Sequence, residues 1–354
     1  MNAITIRGVV KNYANFTLGP IDLAVQRGEL FGILGPPSAG KTSILKLILG
    51  LVKPDSGQIL VGGTDAKGME VAERQISMVF QNLALFPHMS GRENITFALS
   101  ERGLSKKEIA RRLDAVSDVL HVGHILHKNP AQMSGGERQR IALGRALAPD
   151  NRAILLDEPI AALDARLREE MRVELKRLQR TNNQTFVYVS HDEEEVMAIA
   201  DRVAVVIDGR VAQIGAPDDV YNKPNTIAVA TLVGSPPMNL FHGRFAEDGR
   251  HFECSKMVVE IPVGADVPAG AKGILGVRPE DIHRAADGPG HVIDVSSIEP
   301  LGGYTIVNAM LGEQLIKIRV TGQLESPGDY ARSVVFDARR LHLFDSEGDR
   351  LGIK

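Results

Sequence analysis

A glycine-rich turn between an apolar run and a helical pattern has the spacing of a phosphate-binding turn. Gly35–Thr42 matches G-x-x-x-x-G-K-[ST] directly after the apolar run Glu29–Leu34. In such a turn, backbone N–H groups and the positive end of the next helix surround nucleotide phosphates. Lys41 would bridge the β- and γ-phosphates, and the Thr42 hydroxyl would bind Mg²⁺. An accidental glycine-rich turn would also match, and the pattern fits many nucleotide enzymes. The expected nucleotide contacts are Gly35, Pro36, Pro37, Ser38, Ala39, Gly40, Lys41, Thr42 and Ser43.

Two adjacent acids end a second apolar run. Asp157 and Glu158 follow Ala153–Leu156, and acids in a central strand are hard to bury unless they emerge at its carboxyl end, where ligands of open α/β sheets bind. Asp157 is predicted to hold Mg²⁺, and Glu158 to polarise the attacking water as general base. A solvated acidic turn is the alternative, which the phosphate-binding turn upstream disfavours.

Further short motifs occur in a fixed order along the chain. They are Tyr13; Gln81 in Met78–Asn82; Ser134, Gly135, Gly136 and Glu137 in Met133–Arg140; Asp164 in Ala161–Asp164; and His191 in Ser190–Asp192. Each alone has an ordinary explanation, such as a packed tyrosine, a solvated glutamine or a structural histidine. Together with the phosphate-binding turn and the acidic pair, their order resembles that of the ATP-binding cassette (ABC) proteins.

The resemblance implies a role for each motif. Tyr13 would stack on the adenine ring, Gln81 would contact the nucleotide and Mg²⁺, and His191 would contact the γ-phosphate and the water as a second catalytic residue. The helix tip Ser134–Glu137, with Asp164, would serve the nucleotide interface with a second subunit. The implied ligands are ATP and Mg²⁺, bound in a head-to-tail dimer of identical or sister ATPase subunits.

Four positions depart from the commonest family pattern. Ser38 and Ala39 lie where the family more often has glycine and a small serine or cysteine, and Ala161 replaces a serine. Glu137 replaces a glutamine and adds negative charge near the phosphates, a weakening of about 1 kcal/mol at most if the side chain is exposed. We interpret these departures as tuning, because the predicted catalytic and Mg²⁺-binding residues are intact.

Other segments extend the resemblance to importers. Residues 82–95 resemble the segment that importer ATPases place against two membrane permease subunits, and its apolar residues suit docking; a loop buried under neighbouring helices is the alternative. Segments similar to the maltose and glycerol-phosphate importer ATPases are Gln213–Pro217, Tyr221, Gly234–Asn239, Gly276–Asp281 and Glu299–Gly302. The resemblance implies an importer ATPase at the cytoplasmic face of the bacterial inner membrane, served indirectly by a solute-binding protein. A carbohydrate, polyol or glycerol phosphate is the expected cargo; polyamine, iron or oxyanion uptake, and a soluble non-transport cassette, are alternatives.

The elements that position these residues change character near residue 235. Before it, short apolar runs such as Phe186–Val189 alternate with helical periodicity, which predicts an α/β nucleotide-binding domain over 1–235. Residues 92–147 lack strand signals and are predicted to form a helical subdomain. After the breaker cluster Gly234–Pro237, short alternating strands predict a small β-barrel over 236–354. The resemblance implies an OB-like regulatory domain there.

Composition favours a globular cytosolic protein and disfavours nucleic-acid binding. The 354 residues are 44% hydrophobic and 24% charged, with a formal net charge of −3. Residues 236–354 contain 13 Lys and Arg against 17 Asp and Glu, which is unfavourable for a groove that tracks phosphates. Cys254 is the single cysteine, so no internal disulfide can form. The amino terminus lacks a secretory pattern, and no apolar run is long enough to span a membrane.

Overall fold

Two compact units make up the chain, Met1–Pro217 and Asp218–Lys354. The computed structural model describes residues 1–161, 163–254, 257–285 and 290–352. The sheets of the second unit begin at Asn239, so the expected domain boundary at residue 235 lies between the division of the units and the first of those strands. It stays a prediction.

A parallel sheet forms the centre of the first unit. The strands of this unit are β1 (Asn2–Tyr13), β2 (Phe16–Gln26), β3 (Leu30–Leu34), β4 (Ser56–Val61), β5 (Thr64–Asp65), β6 (Ile76–Val79), β7 (Ala153–Asp157), β8 (Phe186–Ser190), β9 (Arg202–Ile207) and β10 (Arg210–Gly215). The central sheet has six strands in the order β10-β9-β3-β8-β7-β6, all parallel except β10. Every residue of β3, β7 and β8 is buried, which explains their continuous apolar sequences. The carboxyl ends of these three neighbours meet at one edge of the sheet.

Helices and a second, antiparallel sheet of order β2-β1-β4-β5 complete this unit. The helices are α1 (Lys41–Leu49), α2 (Gly91–Glu101), α3 (Lys106–Leu120), α4 (Gly135–Leu147), α5 (Ala165–Asn182) and α6 (Glu193–Ile199). Three of them, α2, α3 and α4, occupy the segment 92–147 that was predicted to be helical. Each of these three begins after a serine whose hydroxyl accepts a first-turn N–H group.

The second unit is built from antiparallel sheets around an aromatic core. Its elements are α7 (Pro217–Asn222), α8 (Ile227–Leu232), β11 (Asn239–Phe245), β12 (His251–Cys254), β13 (Met257–Glu260), β14 (Lys272–Val277), β15 (Ile282–Arg284), β16 (His291–Val292), β17 (Asp294–Pro300), β18 (Tyr304–Leu311), β19 (Gln314–Thr321), β20 (Ser333–Phe336) and β21 (His342–Asp345). The sheets have the orders β13-β12-β11-β14-β21, β15-β20-β16 and β17-β18-β19. Phe241, Phe245 and Phe252 are fully buried between them.

Arg278 ties the helical start of this unit to its sheets. The side chain is only 1% exposed. Its guanidinium donates to the carbonyl of Tyr221 at 2.8 Å, to that of Ala230 at 3.1 Å and to that of Val233. It also lies 4.1 Å from the centre of the Tyr221 ring. The buried cation therefore donates to carbonyl groups of α7 and α8 and of Val233, which follows α8.

Arg278→Met should lower the free energy of unfolding by on the order of 3 kcal/mol, because it removes buried hydrogen bonds from a charged donor, which contribute about 1.5–3 kcal/mol each. Urea denaturation of the full chain, followed by far-ultraviolet circular dichroism, measures this loss. Arg319→Met is the matched control, since the exposed Arg319 also lies 4.1 Å from a tyrosine ring. It should cost about 1 kcal/mol or less. Equal losses in both variants would contradict the role given to the carbonyl contacts.

Candidate active site

Nine of the predicted site residues line a cleft of about 480 Å³ at the carboxyl edge of the central sheet. Predicted residues that line it are Tyr13, Pro37, Ser38, Gly40, Lys41, Thr42, Ser43, Gln81 and Glu158. Phe16, which sequence reasoning did not select, also lines it, and its ring stacks 6.3 Å from that of Tyr13. Tyr13 is 39% exposed. An aromatic wall therefore faces the glycine-rich turn across one cleft.

The turn itself requires glycine at two positions. A Cβ atom on Gly35 would lie 2.2 Å from the carbonyl oxygen of Val206. Gly40 has φ 98° and is the N-cap of α1, with no side-chain hydrogen bond to the first turn. Side chains do not compete there for the N–H groups at the start of α1, so those groups can bind an anion together with the positive helix end.

Lys41 is held inside this turn. Its side chain is 7% exposed, and Nζ donates to the carbonyls of Gly35 at 2.7 Å and Pro36 at 2.9 Å. Burial lowers the pKa of Lys41, while the nearby carboxylates of Glu158 and Asp157 raise it. The ammonium group therefore lies where phosphate oxygens could replace the two carbonyls.

Asp157 and Thr42 form an oxygen pair suited to Mg²⁺. Thr42 Oγ1 donates to Asp157 Oδ1 at 3.1 Å, and Asp157 is 3% exposed. Burial raises the pKa of Asp157, opposed by the Thr42 hydrogen bond; a cation would favour its ionised form. The described residues contain no cluster of three His, Cys, Asp or Glu side chains able to hold a metal. Since Mg²⁺ commonly binds one or two protein oxygens plus substrate phosphates, the pair fits such an ion.

Glu158 is held from two sides. The backbone has φ 50°, an uncommon conformation for a residue with a side chain. Oε1 lies 2.8 Å from His191 Nδ1, and Oε2 accepts from Gln81 Nε2 at 3.0 Å. The structure thus brings both predicted catalytic residues together. It places the Gln81 amide on Glu158, while a role of Gln81 as a Mg²⁺ ligand stays a prediction.

Ser134, Gly135, Gly136, Glu137 and Asp164 do not line this cleft. Ser134 is the N-cap of α4, and Asp164 is the N-cap of α5, where its Oδ1 accepts from Leu167 N at 2.9 Å. Ala162, between Ala161 and Asp164 in the same motif, lies outside the described residues. The chain therefore carries two separate surfaces that could bind phosphate, as a head-to-tail dimer would require.

A lysine that the sequence did not single out pairs with Glu137. One carboxylate oxygen, Oε2, accepts the N–H of Ser134 at 2.7 Å, and Oε1 accepts from Lys128 Nζ at 2.8 Å. The Lys128 hydrogen bond, followed by that of Ser134, lowers the pKa of Glu137 to about 2. Ser134 Oγ accepts the N–H of Glu137 at 3.2 Å, which leaves its proton free to donate. The charge expected near the phosphates is therefore balanced within the same chain.

Residues 82–95 form a loop and the first turn of α2, braced from inside. Arg145 donates to the carbonyls of Leu83 at 2.9 Å and Ala84 at 2.6 Å. The buried Asn94 donates to the carbonyls of Phe86, Met89 and Ser90. Leu83, Leu85 and Phe86 are half-buried, so the loop is neither fully exposed nor buried under the helices. A small cavity of about 300 Å³ beside it is lined by Gln81, Asn82, Leu83, Leu85, Pro130 and Arg138.

Comparison with known proteins identifies both halves of the chain. A family model described as ABC transporter matches residues 18–161, and one described as MalK OB fold domain matches residues 234–282. These matches confirm the predicted α/β cassette followed by an OB-like domain. The sn-glycerol-3-phosphate import ATP-binding proteins (UgpC) of Cereibacter sphaeroides, Paraburkholderia xenovorans and Burkholderia mallei are 40%, 38% and 39% identical to this chain. Each alignment covers 99% of this chain and at least 99% of the relative.

Solved structures agree for the first unit. A dimeric bacterial ABC transporter cassette is 28% identical, with a TM-score of 0.56 over 60% of this chain and 98% of that one. The same cassette in a post-hydrolysis state bound to ADP and Pi is 27% identical, also with a TM-score of 0.56 and the same coverage.

Lys128→Gln should raise the ATP concentration for half-maximal hydrolysis by about fivefold at low salt, because Glu137 then repels phosphate with about 1 kcal/mol. The defect should shrink at high salt, which screens exposed charges. Adding Glu137→Gln should restore the parent value. Lys107→Gln, which removes an exposed lysine from α3, is the control. A defect that persists in the double variant would show that Lys128 acts other than by balancing Glu137.

Proposed function

Since this chain belongs to the ABC transporter ATP-binding proteins, we propose that it is the ATPase subunit of a bacterial importer for sn-glycerol-3-phosphate or a related carbohydrate or polyol. The single observation that carries the assignment of the hydrolytic site is the position of the Glu158 carboxylate. It is hydrogen-bonded to Gln81 and His191 and lines the same cleft as Lys41 and Thr42. A base, a cation and a phosphate-binding turn therefore share one cleft.

These residues divide the work of hydrolysis. The N–H groups of the turn and the Lys41 ammonium bind the β- and γ-phosphates, and the aromatic wall of Tyr13 and Phe16 receives the adenine ring. Glu158 accepts a proton from the water that attacks the γ-phosphorus, and His191 orients that water and the γ-phosphate. Thr42 and Asp157 would hold Mg²⁺, which supplies neutralising charge for the phosphates when bound.

A second cassette completes the site. The helix α4 begins with Gly135 and Gly136, directly after its N-cap Ser134. Among the described side chains, that of Ser134 alone caps the first turn. The N–H groups of the two glycines and the Ser134 hydroxyl suit the γ-phosphate of ATP held by a partner subunit. Asp164, which caps the nearby start of α5, lies at the same proposed interface. The partner is either an identical chain or a sister ATPase.

The importer assignment implies that the chain works beside a membrane. Within the described residues, no helix is both long and apolar enough to cross a bilayer. The braced loop 82–95, with half-buried Leu83, Leu85 and Phe86 beside a small cavity, suits a helical segment of a membrane permease subunit. The chain would thus bind two permease subunits at the cytoplasmic face of the inner membrane, and a solute-binding protein would act through them.

Glu158→Gln should abolish steady-state ATP hydrolysis, with a loss of about 10²–10⁴-fold, because the amide cannot accept the proton. ATP binding should persist, so that ATP shifts the variant to a long-lived dimer on size-exclusion chromatography. Phosphate release measures the turnover. Glu194→Gln, on the exposed face of α6, is the control and should retain activity. Near-normal hydrolysis by Glu158→Gln would remove this residue as the base.

The cargo is tested in a reconstituted importer, since this chain touches only nucleotide and partner subunits. The chain is co-expressed with the membrane subunits of its own operon, and the purified complex is reconstituted in proteoliposomes. It should hydrolyse ATP faster when the solute-binding protein carries sn-glycerol-3-phosphate. Parallel reactions with spermidine and ferric iron should show no stimulation. Stimulation by one of these alone would reassign the cargo class, and failure to co-purify with any membrane subunit would contradict the importer role.

A further inference from the structure

A buried carboxylate that the proposed mechanism does not use lies on α6, four residues after His191. Glu195 is 3% exposed. Its Oε2 accepts from the Ser190 hydroxyl at 2.8 Å and from the Tyr188 hydroxyl at 3.0 Å. Oε1 lies 3.6 Å from Nε of Arg168. Burying a carboxylate is costly unless it is paired and hydrogen-bonded. The two hydroxyls and Arg168 supply these partners to Glu195.

The contacts of Glu195 fix the backbone on both sides of His191. Ser190 precedes the histidine, and its Oγ also accepts the N–H of Asp192 at 3.0 Å. Asp192 follows the histidine, and its Oδ1 accepts the N–H of Glu195 at 3.2 Å. The residues before and after His191 are therefore both bound to Glu195, Ser190 to its carboxylate and Asp192 to its backbone N–H. His191, which is exposed, keeps its Nδ1 within 2.8 Å of Glu158 from this anchored backbone.

Arg168 extends the same network to the start of α5. Its Nη2 donates to the carbonyl of Leu163 at 3.2 Å, and Leu163 immediately precedes the helix N-cap Asp164. The guanidinium therefore contacts both Glu195 and the motif that lies at the proposed interface with the second cassette. Two segments that are far apart in sequence, Leu163–Arg168 and the start of α6 at Glu195, meet through one ion pair.

We propose that Glu195 is a positioning residue for ATP hydrolysis. It holds His191 against Glu158 and, through Arg168, makes that position depend on the Leu163–Asp164 segment. A partner cassette that contacts Asp164 thereby influences the histidine of this chain. The inference rests on the proposed roles of Glu158 and His191.

Glu195→Gln tests the ion pair, because the amide oxygen can still accept from both hydroxyls while the amide nitrogen faces Arg168. In the full-length protein we expect kcat to fall by about tenfold to a hundredfold, as small misplacements of catalytic groups do. The KM for ATP should change by less than about twofold, because the phosphate-binding turn is untouched.

Arg168→Met should lower kcat similarly, and the double variant should be no worse than the poorer single variant. Arg166→Met on α5 and Glu194→Gln on α6 are exposed controls expected to retain activity.

A second pair of variants tests the other side of Glu195. Ser190→Ala should reduce kcat without changing the KM. Ser190→Thr keeps the hydroxyl and should retain the kcat of the parent protein. If Glu195→Gln fails to fold, as judged by circular dichroism, this pair decides the question. Normal kcat in Glu195→Gln or Ser190→Ala, additive losses in the Arg168→Met double variant, or a loss confined to KM would overturn the inference. The proposed function fails separately, if Glu158→Gln keeps hydrolysing ATP.

Discussion

Charge buried at the edge of an apolar sheet is the constraint on which the first unit depends. Burial lowers the pKa of Lys41 and raises that of Asp157, so both groups need partners to remain charged. The strands β3 and β7 are wholly buried and supply few polar groups. Lys41 is instead partnered by carbonyls of the glycine-rich turn and by the neighbouring carboxylates, and Asp157 is partnered by the Thr42 hydroxyl. A polyanion with its cation complements this arrangement, because it offers opposite charge to both groups.

Helix starts are the second recurring device, and their caps differ with their task. The α1 helix begins after Gly40, which has no side chain to occupy the first-turn N–H groups. The α4, α5 and α6 helices begin after Ser134, Asp164 and Asp192, whose side chains each accept one N–H group. A capped start holds its loop in place, whereas a bare start leaves donors for a ligand. The bare start of α1 thus serves binding, the caps of α5 and α6 serve positioning, and the capped start of α4 combines a fixed loop with N–H groups proposed to bind phosphate.

Ion pairs across the fold explain how this chain tolerates unusual charges. Glu137 lies at a helix tip proposed to bind phosphate, and Lys128 together with the Ser134 N–H balances its charge. Glu195 is more deeply buried and is matched by Arg168 and two hydroxyls. In the second unit, Arg278 is buried among backbone carbonyls. Each charge therefore has a defined structural partner, as burial demands.

The sequence by itself determined the phosphate-binding turn and the strand that ends in Asp157 and Glu158. It also determined the family and the order of the two folds. All of these depend on local spacing and on the apolar runs that a parallel sheet requires. Only the tertiary structure decided which distant side chains meet. Lys128 with Glu137 and Arg168 with Glu195 have no signature in spacing, since contacts between separate elements depend on how those elements pack. It also placed Ser134 and Asp164 outside the cleft of Glu158, because residues at the starts of different helices can face different surfaces of one chain.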